Sequence, residues 1–184
     1  MNLSSMNLTD RDVPMIIQRA FRNKERKCFG LNLRDNALTS NGIKTLVDSI
    51  IKLHINIRYI CLSDNSNVGD EGVEHLIRLL QTVRSLTFLA IPNTGITDRA
   101  VRMLADVLCN DMNKNPMCSP LEKLYISFNK SITDDSLGAV QQIIEQSRTL
   151  KVFSVQHCSF SNKARRQLQQ SGTKSKRKRF SLSE

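Results

Sequence analysis

The chain has 184 residues, of which 24% are charged and 40% hydrophobic, and its formal net charge is +10. This length fits one domain better than two, and the composition is typical of globular proteins rather than of disordered chains. No apolar run approaches the roughly 18 residues that a membrane-spanning helix requires. The first residues lack the basic start and apolar core of a secretory signal, so the sequence predicts no secretion.

One spacing of apolar residues recurs along the chain, and a clear copy begins at Leu31. Leu31 and Leu33 alternate with polar residues, Asn36 and Leu38 follow, and a helical apolar stripe starts at Ile43. The period-two part predicts a short strand, and the part with a period near 3.6 predicts an amphipathic helix. Copies of this unit begin near residues 1, 31, 60, 89, 124 and 153. Residues that favour helix starts precede four of the helices, namely Ser40, Asp70, Asp98 and Asp134.

The repeat is interrupted once and ends before the end of the chain. Residues 110–120 are polar and contain two prolines, which predicts an inserted loop between a helix and the next strand. Residues 171–184 have no apolar period and carry a basic run, which predicts a disordered basic tail. The sequence therefore predicts a repeat domain over residues 1–170, followed by this tail.

A strand–helix unit of this size cannot bury its own apolar face. Stacking of successive units solves this problem, with the strands in one parallel sheet and the helices behind it. The predicted fold class is therefore α/β, in the form of a solenoid.

The pattern Leu-x-Leu-x-x-Asn/Cys-x-Leu resembles the leucine-rich repeat. The long unit, with a full helix opened by residues such as 69–73, resembles the ribonuclease-inhibitor-like subclass. This resemblance implies about six repeats in a curved solenoid, with the sheet on the concave side and the helices on the convex side. It also implies that one polar residue of each unit turns inward and bonds to backbone groups, as a structural ladder of Asn36, Asn65, Thr94, Asn129 and Cys158.

Sequence motifs of catalysis are missing. The chain contains no glycine-rich phosphate loop, no Gly-x-Ser-x-Gly, no Cys-x-x-Cys and no His-Glu-x-x-His. We therefore predict that the protein is not an enzyme and that it holds no cofactor or metal. One regulatory alternative stays open, because repeats of the same subclass also form the body of Ran GTPase activators.

Residues beside each leucine pair are expected to lie exposed on the sheet. The first three strands offer small and charged groups there, whereas the last two offer aromatic groups, which are common anchors of interfaces. The predicted partner-binding residues are Arg34, Asp64, Asn93, Tyr125, Phe128, Gln156 and His157. A structural alternative is that Phe128 packs under the inserted loop. The first functional hypothesis is a non-catalytic interaction module or scaffold that binds a protein on the concave face, alone or as a segment of a larger receptor or regulatory protein.

The basic tail supports a second hypothesis, a nucleic-acid-associated or nuclear protein. Lys174, Lys176, Arg177, Lys178 and Arg179 resemble a short nuclear-localisation signal. The alternatives are a solvated tail without a receptor and weak contact with nucleic acid or acidic lipid, so nucleic acid is not the main predicted partner. The five cysteines are irregularly spaced, which indicates reduced thiols and a cytoplasmic location, with the nucleus as the second destination.

Overall fold

A computed structural model describes residues 1–21, 30–109, 121–174 and 179–181. In this part of the chain, helices alternate with short strands. The helices are α1 (Val13–Phe21), α2 (Ser40–Lys52), α3 (Gly69–Thr82), α4 (Asp98–Cys109), α5 (Leu137–Gln146) and α6 (Asn162–Lys174). The strands are β1 (Gly30–Asn32), β2 (Tyr59–Cys61), β3 (Phe88–Ala90), β4 (Lys123–Tyr125), β5 (Val152–Ser154) and β6 (Arg179–Ser181). Single 3₁₀ turns, Asp10–Asp12 and Asp134–Ser136, lead into α1 and α5.

All the strands belong to one parallel sheet, and their order in space equals their order along the chain. The central residues of β1 to β5 are in register and fully buried: Leu31, Ile60, Leu89, Leu124 and Phe153. These residues share one continuous core with the apolar stripes of the helices, such as Ile43 and Val73. The α/β solenoid that the spacing predicts is therefore confirmed.

The first unit joins the sheet through a single bridge between Asn2 and Asn32. The N–H of Leu3 donates to the carbonyl of Asn32 at 2.8 Å, and the N–H of Asn32 donates to the carbonyl of Met1 at 3.0 Å. Met6 stands where the later units have an inward polar residue, and it is 53% exposed. As at later joints, the joint between the first two units is bridged by the polar residue of the later unit, Asn36, which accepts from the N–H of Met6 at 3.1 Å.

The end of the chain differs from the predicted disordered tail. Helix α6 continues to Lys174, and β6 pairs in parallel with β5, with Phe180 in register with Phe153. This pairing satisfies backbone groups on a sheet edge that would otherwise lie unpaired. The repeat pattern does not predict β6, because β6 starts closer to β5 in the sequence than any other strand does to the strand before it. The rest of the predicted tail, residues 175–178 and 182–184, and the predicted inserted loop at 110–120 lie outside the described residues.

Buried side chains of one polar position join each unit to the one before it. The amide of Asn65 donates to the carbonyls of Leu33 and Leu62, both at 2.9 Å, and accepts from the N–H of Leu38 at 3.0 Å. Asn129 makes the same kind of link, donating to Ile91 at 3.0 Å. One side chain thus satisfies backbone groups of two units, which the turn after the strand would otherwise leave buried and unpaired.

The same position holds other polar groups in the remaining units. Asn36 donates to the carbonyls of Leu3 and Leu33, both at 2.9 Å. The hydroxyl of Thr94 donates within its own unit, to Ile91 at 2.8 Å. The thiol of Cys158 donates to Ile126 at 3.6 Å, and burial raises its pKa to about 11, so the proton needed for this bond is retained at neutral pH.

A second set of links runs in the opposite direction, from a helix start to the next unit. Asp70 accepts from the N–H and the hydroxyl of Thr97 at 2.8 and 2.6 Å, and Asp98 accepts from those of Thr133 at 2.7 Å each. Asp10 and Asp134 bond in the same way to Thr39 and Ser161. We call these four contacts the carboxylate links.

The carboxylate links correct the role that the sequence predicts for the residues at the helix starts. Ser40 and Asp98 are the first residues of their helices and Asp70 is the second residue of α3, whereas the cap of α2 is Thr39, whose hydroxyl accepts from the N–H of Asn41 at 3.2 Å. The cap predictions for these helices were therefore wrong by one or two positions. The aspartates bond across the joint instead, because their carboxylates reach the backbone of the following unit.

Candidate partner-binding face

The side of the sheet that faces away from the helices is the candidate binding surface, and we call it the open face. Side chains alternate along a strand, so the residues on either side of each buried central position point to this side. The first row of the open face is Gly30, Tyr59, Phe88, Lys123 and Val152. The second row is Asn32, Cys61, Ala90, Tyr125 and Ser154.

Three aromatic side chains of these rows contact one another across β2, β3 and β4. The ring centroids of Tyr59 and Phe88 are 4.5 Å apart, and those of Phe88 and Tyr125 are 5.3 Å apart. Their planes are tilted by 35° and 33°, so each ring packs partly against the face of its neighbour. All three side chains are partly exposed. We call this group the aromatic ladder.

The ladder is fitted closely against β1 at one end. A Cβ atom on Gly30 would lie 2.7 Å from the Cβ of Tyr59 and 2.9 Å from its Cδ1, so a glycine is required for Tyr59 to occupy this position. Burial and the neighbouring Cys61 side chain raise the pKa of the Tyr59 hydroxyl to about 12. The hydroxyl therefore stays protonated at neutral pH and adds no charge to the open face.

The repeat pattern predicts small and charged groups on the first three strands, whereas Tyr59 and Phe88 add aromatic groups to β2 and β3. Both residues stand immediately before a leucine pair, at positions that the repeat frame did not include. The signal was present, because the alternation of a strand extends to the residue before its first buried position.

Three predicted contact residues bond to one another at the other end of the strands. Arg34 Nε donates to Asp64 Oδ2 at 2.9 Å, and Asn93 Nδ2 donates to Asp64 Oδ1 at 3.0 Å. The carboxylate thus satisfies groups from the units on both sides. The pairing with Asp64 neutralises the charge of Arg34 locally, so Arg34 attracts a negatively charged partner less strongly.

Phe128 and His157 form a separate aromatic pair at the turns that follow β4 and β5. Their centroids are 4.4 Å apart with planes 23° apart, and Phe128 is 49% exposed. Tyr125 contacts Phe88 of the ladder, so the structure sorts the predicted aromatic patch into two clusters. The inserted loop that could cover Phe128 lies outside the described residues.

The aromatic pair stands on unusual backbone. Phe128 and His157 have φ angles of 62° and 56°, in the left-handed region. Asp35, Asp64 and Asn93 occupy the same position of earlier units with φ between 50° and 60°. Short polar residues tolerate this conformation because their side chains bond locally, whereas a phenylalanine gains nothing there. The left-handed turn is thus a regular feature of the unit, and the large rings at two of these turns are the departure from the pattern.

Gln156 stabilises the turn of the aromatic pair through its backbone. Its carbonyl accepts from the N–H of Phe128 at 2.8 Å, and its N–H donates to the hydroxyl of Ser127 at 3.1 Å. Ser127 also bonds to Ser154 at 2.9 Å, and both serines are buried. These contacts fix the turn that carries the aromatic pair.

The remaining predicted groups are distributed as follows. Lys174 ends α6 and Arg179 begins β6, whereas Lys176, Arg177 and Lys178 of the nuclear-signal candidate lie outside the described residues. Within residues 1–21, 30–109, 121–174 and 179–181, no cluster of three or more His, Cys, Asp or Glu residues has the arrangement of a metal site. No helix in that part of the chain is long and apolar enough to span a membrane.

Comparison with known proteins agrees with the repeat. The profile of the leucine-rich repeat matches residues 118–140. A curated relative, the protein phosphatase 1 regulatory subunit 37 homolog of Caenorhabditis briggsae, is 20% identical over 155 residues. The aligned region covers 84% of this chain and only 16% of the relative. Together with the spacing and the sheet described above, these similarities support a leucine-rich repeat as the repeating unit of this chain.

Proposed function

We propose that this chain is a non-catalytic protein-interaction module of the ribonuclease-inhibitor-like subclass, and that it holds a protein partner on the open face. The observation that carries the proposal is the aromatic ladder. Its rings are partly exposed, and they are fixed by contacts with each other and by a short regular strand under each. Anchors that are ordered before binding lose little conformational entropy when the partner arrives.

The comparisons support a regulatory role for this module. Leucine-rich repeats and a relative named as a regulatory subunit both indicate binding to other proteins rather than catalysis. The subclass is supported by the full helix in each complete unit, such as α3 with 14 residues. The cytoplasm stays our proposed location.

The proposal can be tested with a photo-crosslinking amino acid placed in the full chain at Tyr125. The matched control carries the same amino acid at Lys44, which is exposed on α2 behind the sheet. We expect crosslinks to a discrete protein from position 125, resistant to nuclease and lost when Phe88→Ser is added. Crosslinks from position 44 alone, or products that nuclease removes, would contradict the proposal.

The relative's name makes protein phosphatase 1 the first protein to test. Its purified catalytic subunit would be mixed with each photo-crosslinking variant, and the crosslinked products would be compared. A product formed from position 125 and lost with Phe88→Ser supports a phosphatase-regulating role. If neither position gives a product, protein phosphatase 1 is rejected as the partner, and another protein must be sought.

A further inference from the structure

In the part of the chain that the structure describes, the two edges of the sheet carry opposite charge. Around the amino ends of the strands, residues 52–58, 82–88, 121–123 and 147–152 contain basic groups and a single carboxylate, Glu122. The basic groups are Lys52, Arg58, Arg84, Lys123, Arg148 and Lys151, all exposed. Glu122 is paired with Lys151 at 2.7 Å. We call this the basic edge.

The carboxyl ends of the strands face an edge of the other sign. Residues 34–41, 63–71, 92–99 and 127–136 contain the basic groups Arg34, Arg99 and Lys130. Their acidic groups are Asp35, Asp64, Asp70, Glu71, Asp98, Asp134 and Asp135. A charged partner that crosses the open face therefore meets two different environments along the strands.

The aromatic ladder lies next to the basic edge. Tyr59 and Phe88 belong to the first row, and Lys123 continues that row in register with Phe88. Lys123 is exposed and is the one charged group among the ten residues of β1 to β5 that form the two rows. Arg58 immediately precedes Tyr59 at the same edge. Among the described residues of this edge the one carboxylate, Glu122, is paired with Lys151, so the apolar anchors are bordered mainly by cations.

We propose that the occupant of the open face is an extended, acidic segment of another protein. Its apolar side chains rest on the aromatic ladder, and its carboxylates face Lys123 and Arg58 at the basic edge. This inference rests on the proposed function and adds the chemistry of the partner. Charge complementarity sets the orientation of the segment, because the opposite edge repels carboxylates.

The packing of the ladder favours a protein segment over a nucleic acid. A single-stranded nucleic acid binds an aromatic surface mainly by stacking bases on exposed ring faces. At centroid distances of 4.5 and 5.3 Å, the ladder rings already cover each other's faces. The parts of the rings that stay exposed therefore suit aliphatic side chains better than bases.

The test uses a library of random linear peptides displayed on phage and selected against the full chain. Bound peptides would be counter-selected against Phe88→Ser, so that only peptides that need the ladder remain. We expect these peptides to be enriched in both acidic and large apolar residues. For a synthetic peptide from the selection, we expect Lys123→Glu with Arg58→Glu to lower affinity at least tenfold.

Charge-matched controls separate local recognition from net charge. Lys130→Glu with Arg99→Glu changes the net charge equally at the opposite edge and should leave affinity within about twofold. A peptide with its acidic residues replaced by lysine should bind the Lys123→Glu, Arg58→Glu variant better than the wild type. Circular dichroism of every variant ensures that lost binding does not reflect lost folding.

Four results would overturn the inference. The ladder-dependent peptides could lack acidic residues, both charge-reversed pairs could weaken binding equally, or random single-stranded RNA could bind the ladder more tightly than any peptide. Failure to select any ladder-dependent peptide also rejects an extended segment. If Tyr125 still crosslinks to a protein in these cases, the proposed function survives and only the chemistry of the segment is wrong.

Discussion

The aromatic ladder and the aromatic pair of Phe128 and His157 present rings from the same sheet in different ways. The ladder stands on extended strand backbone, and its position depends on the absence of a side chain at Gly30. The pair stands on left-handed turns, where earlier units have Asp35, Asp64 and Asn93. Steric fit therefore restricts which residues the ladder positions accept, and backbone strain restricts which residues the positions of the pair accept. The same type of substitution should therefore act differently at the two clusters.

The largest loss of stability is expected from a substitution of a residue that supports both clusters. Asn129 bonds to backbone groups of the units under the ladder and under the pair. Asn129→Ala leaves the buried N–H of Thr94 unpaired and removes one donor each from the carbonyls of Ile91 and Ile126, so we expect the free energy of unfolding to fall by about 3 kcal/mol. Urea unfolding followed by circular dichroism measures this loss, since the chain has no tryptophan. Asn129→Thr is the matched control, because Thr94 fills this position elsewhere, and a loss as large as that of alanine would contradict the bonding argument.

A substitution at Gly30 should break the ladder alone. Gly30→Ala places a methyl group 2.7 Å from the Cβ of Tyr59, which must shift together with its strand. We expect a loss of about 2 kcal/mol and weaker partner binding, because overpacking distorts its surroundings. Gly138→Ala is the control, since its new Cβ meets nothing within 4 Å on α5. It should raise stability by about 0.5 kcal/mol, and equal losses from both variants would reject the steric explanation.

Substitution by asparagine should change the free energy of unfolding in opposite directions at the two clusters. Phe128→Asn relieves left-handed strain at an exposed position, so we expect stability to rise by about 0.5 kcal/mol even though stacking on His157 is lost. Tyr125→Asn removes a ladder contact on extended backbone and should cost about 1 kcal/mol. Thermal unfolding of the two variants gives the comparison. A destabilised Phe128→Asn would mean that stacking outweighs backbone strain.

The last effect concerns the pH dependence of stability and the joints beneath both clusters. Burial disfavours the charge of Asp98, but hydrogen bonds from Thr133 and Ser136 and the Arg102 cation outweigh it and lower its pKa below 3.8. Bonds from Ser161 lower the pKa of Asp134 in the same direction. Because these pKa values are lower in the folded state, their stabilisation is complete above about pH 4 and is lost as pH falls through the folded values.

Asp98→Asn tests this dependence. It should reduce the free energy of unfolding at neutral pH by about 1 kcal/mol and flatten the loss of stability between about pH 4 and pH 2. Asp106→Asn, at an exposed position of α4, is the control and should keep the wild-type slope. An unchanged slope in Asp98→Asn would assign the acid sensitivity to other groups.

The order of the strands was predictable from the sequence, whereas the details of the open face were only partly so. Leu31, Ile60, Leu89, Leu124 and Phe153 recur at intervals that require stacking, and they lie in register as the spacing predicts. Periodicity identifies such residues because burial of every unit depends on them. Tyr59 and Phe88 carry no such constraint, since their side of the sheet is solvent-facing and accepts many residue types.

Contacts between units were the least predictable part. Asp98 matches a helix cap by sequence, yet it bonds to Thr133, 35 residues later, and only the stacking geometry brings the two together. Asp64 was identified as a contact for a partner, and its bonds to Arg34 and Asn93 likewise appear only once three units are aligned. Local patterns describe one unit, whereas these bonds are properties of neighbouring units.

The carboxylate links give assembly of the solenoid a direction. Each aspartate belongs to the earlier unit and binds the threonine or serine at the start of the later helix. On the ribosome, where earlier segments fold first, a new unit therefore meets an acceptor that is already in place. Growth toward the carboxyl end therefore adds each new hydroxyl and N–H donor onto a carboxylate that is already ordered.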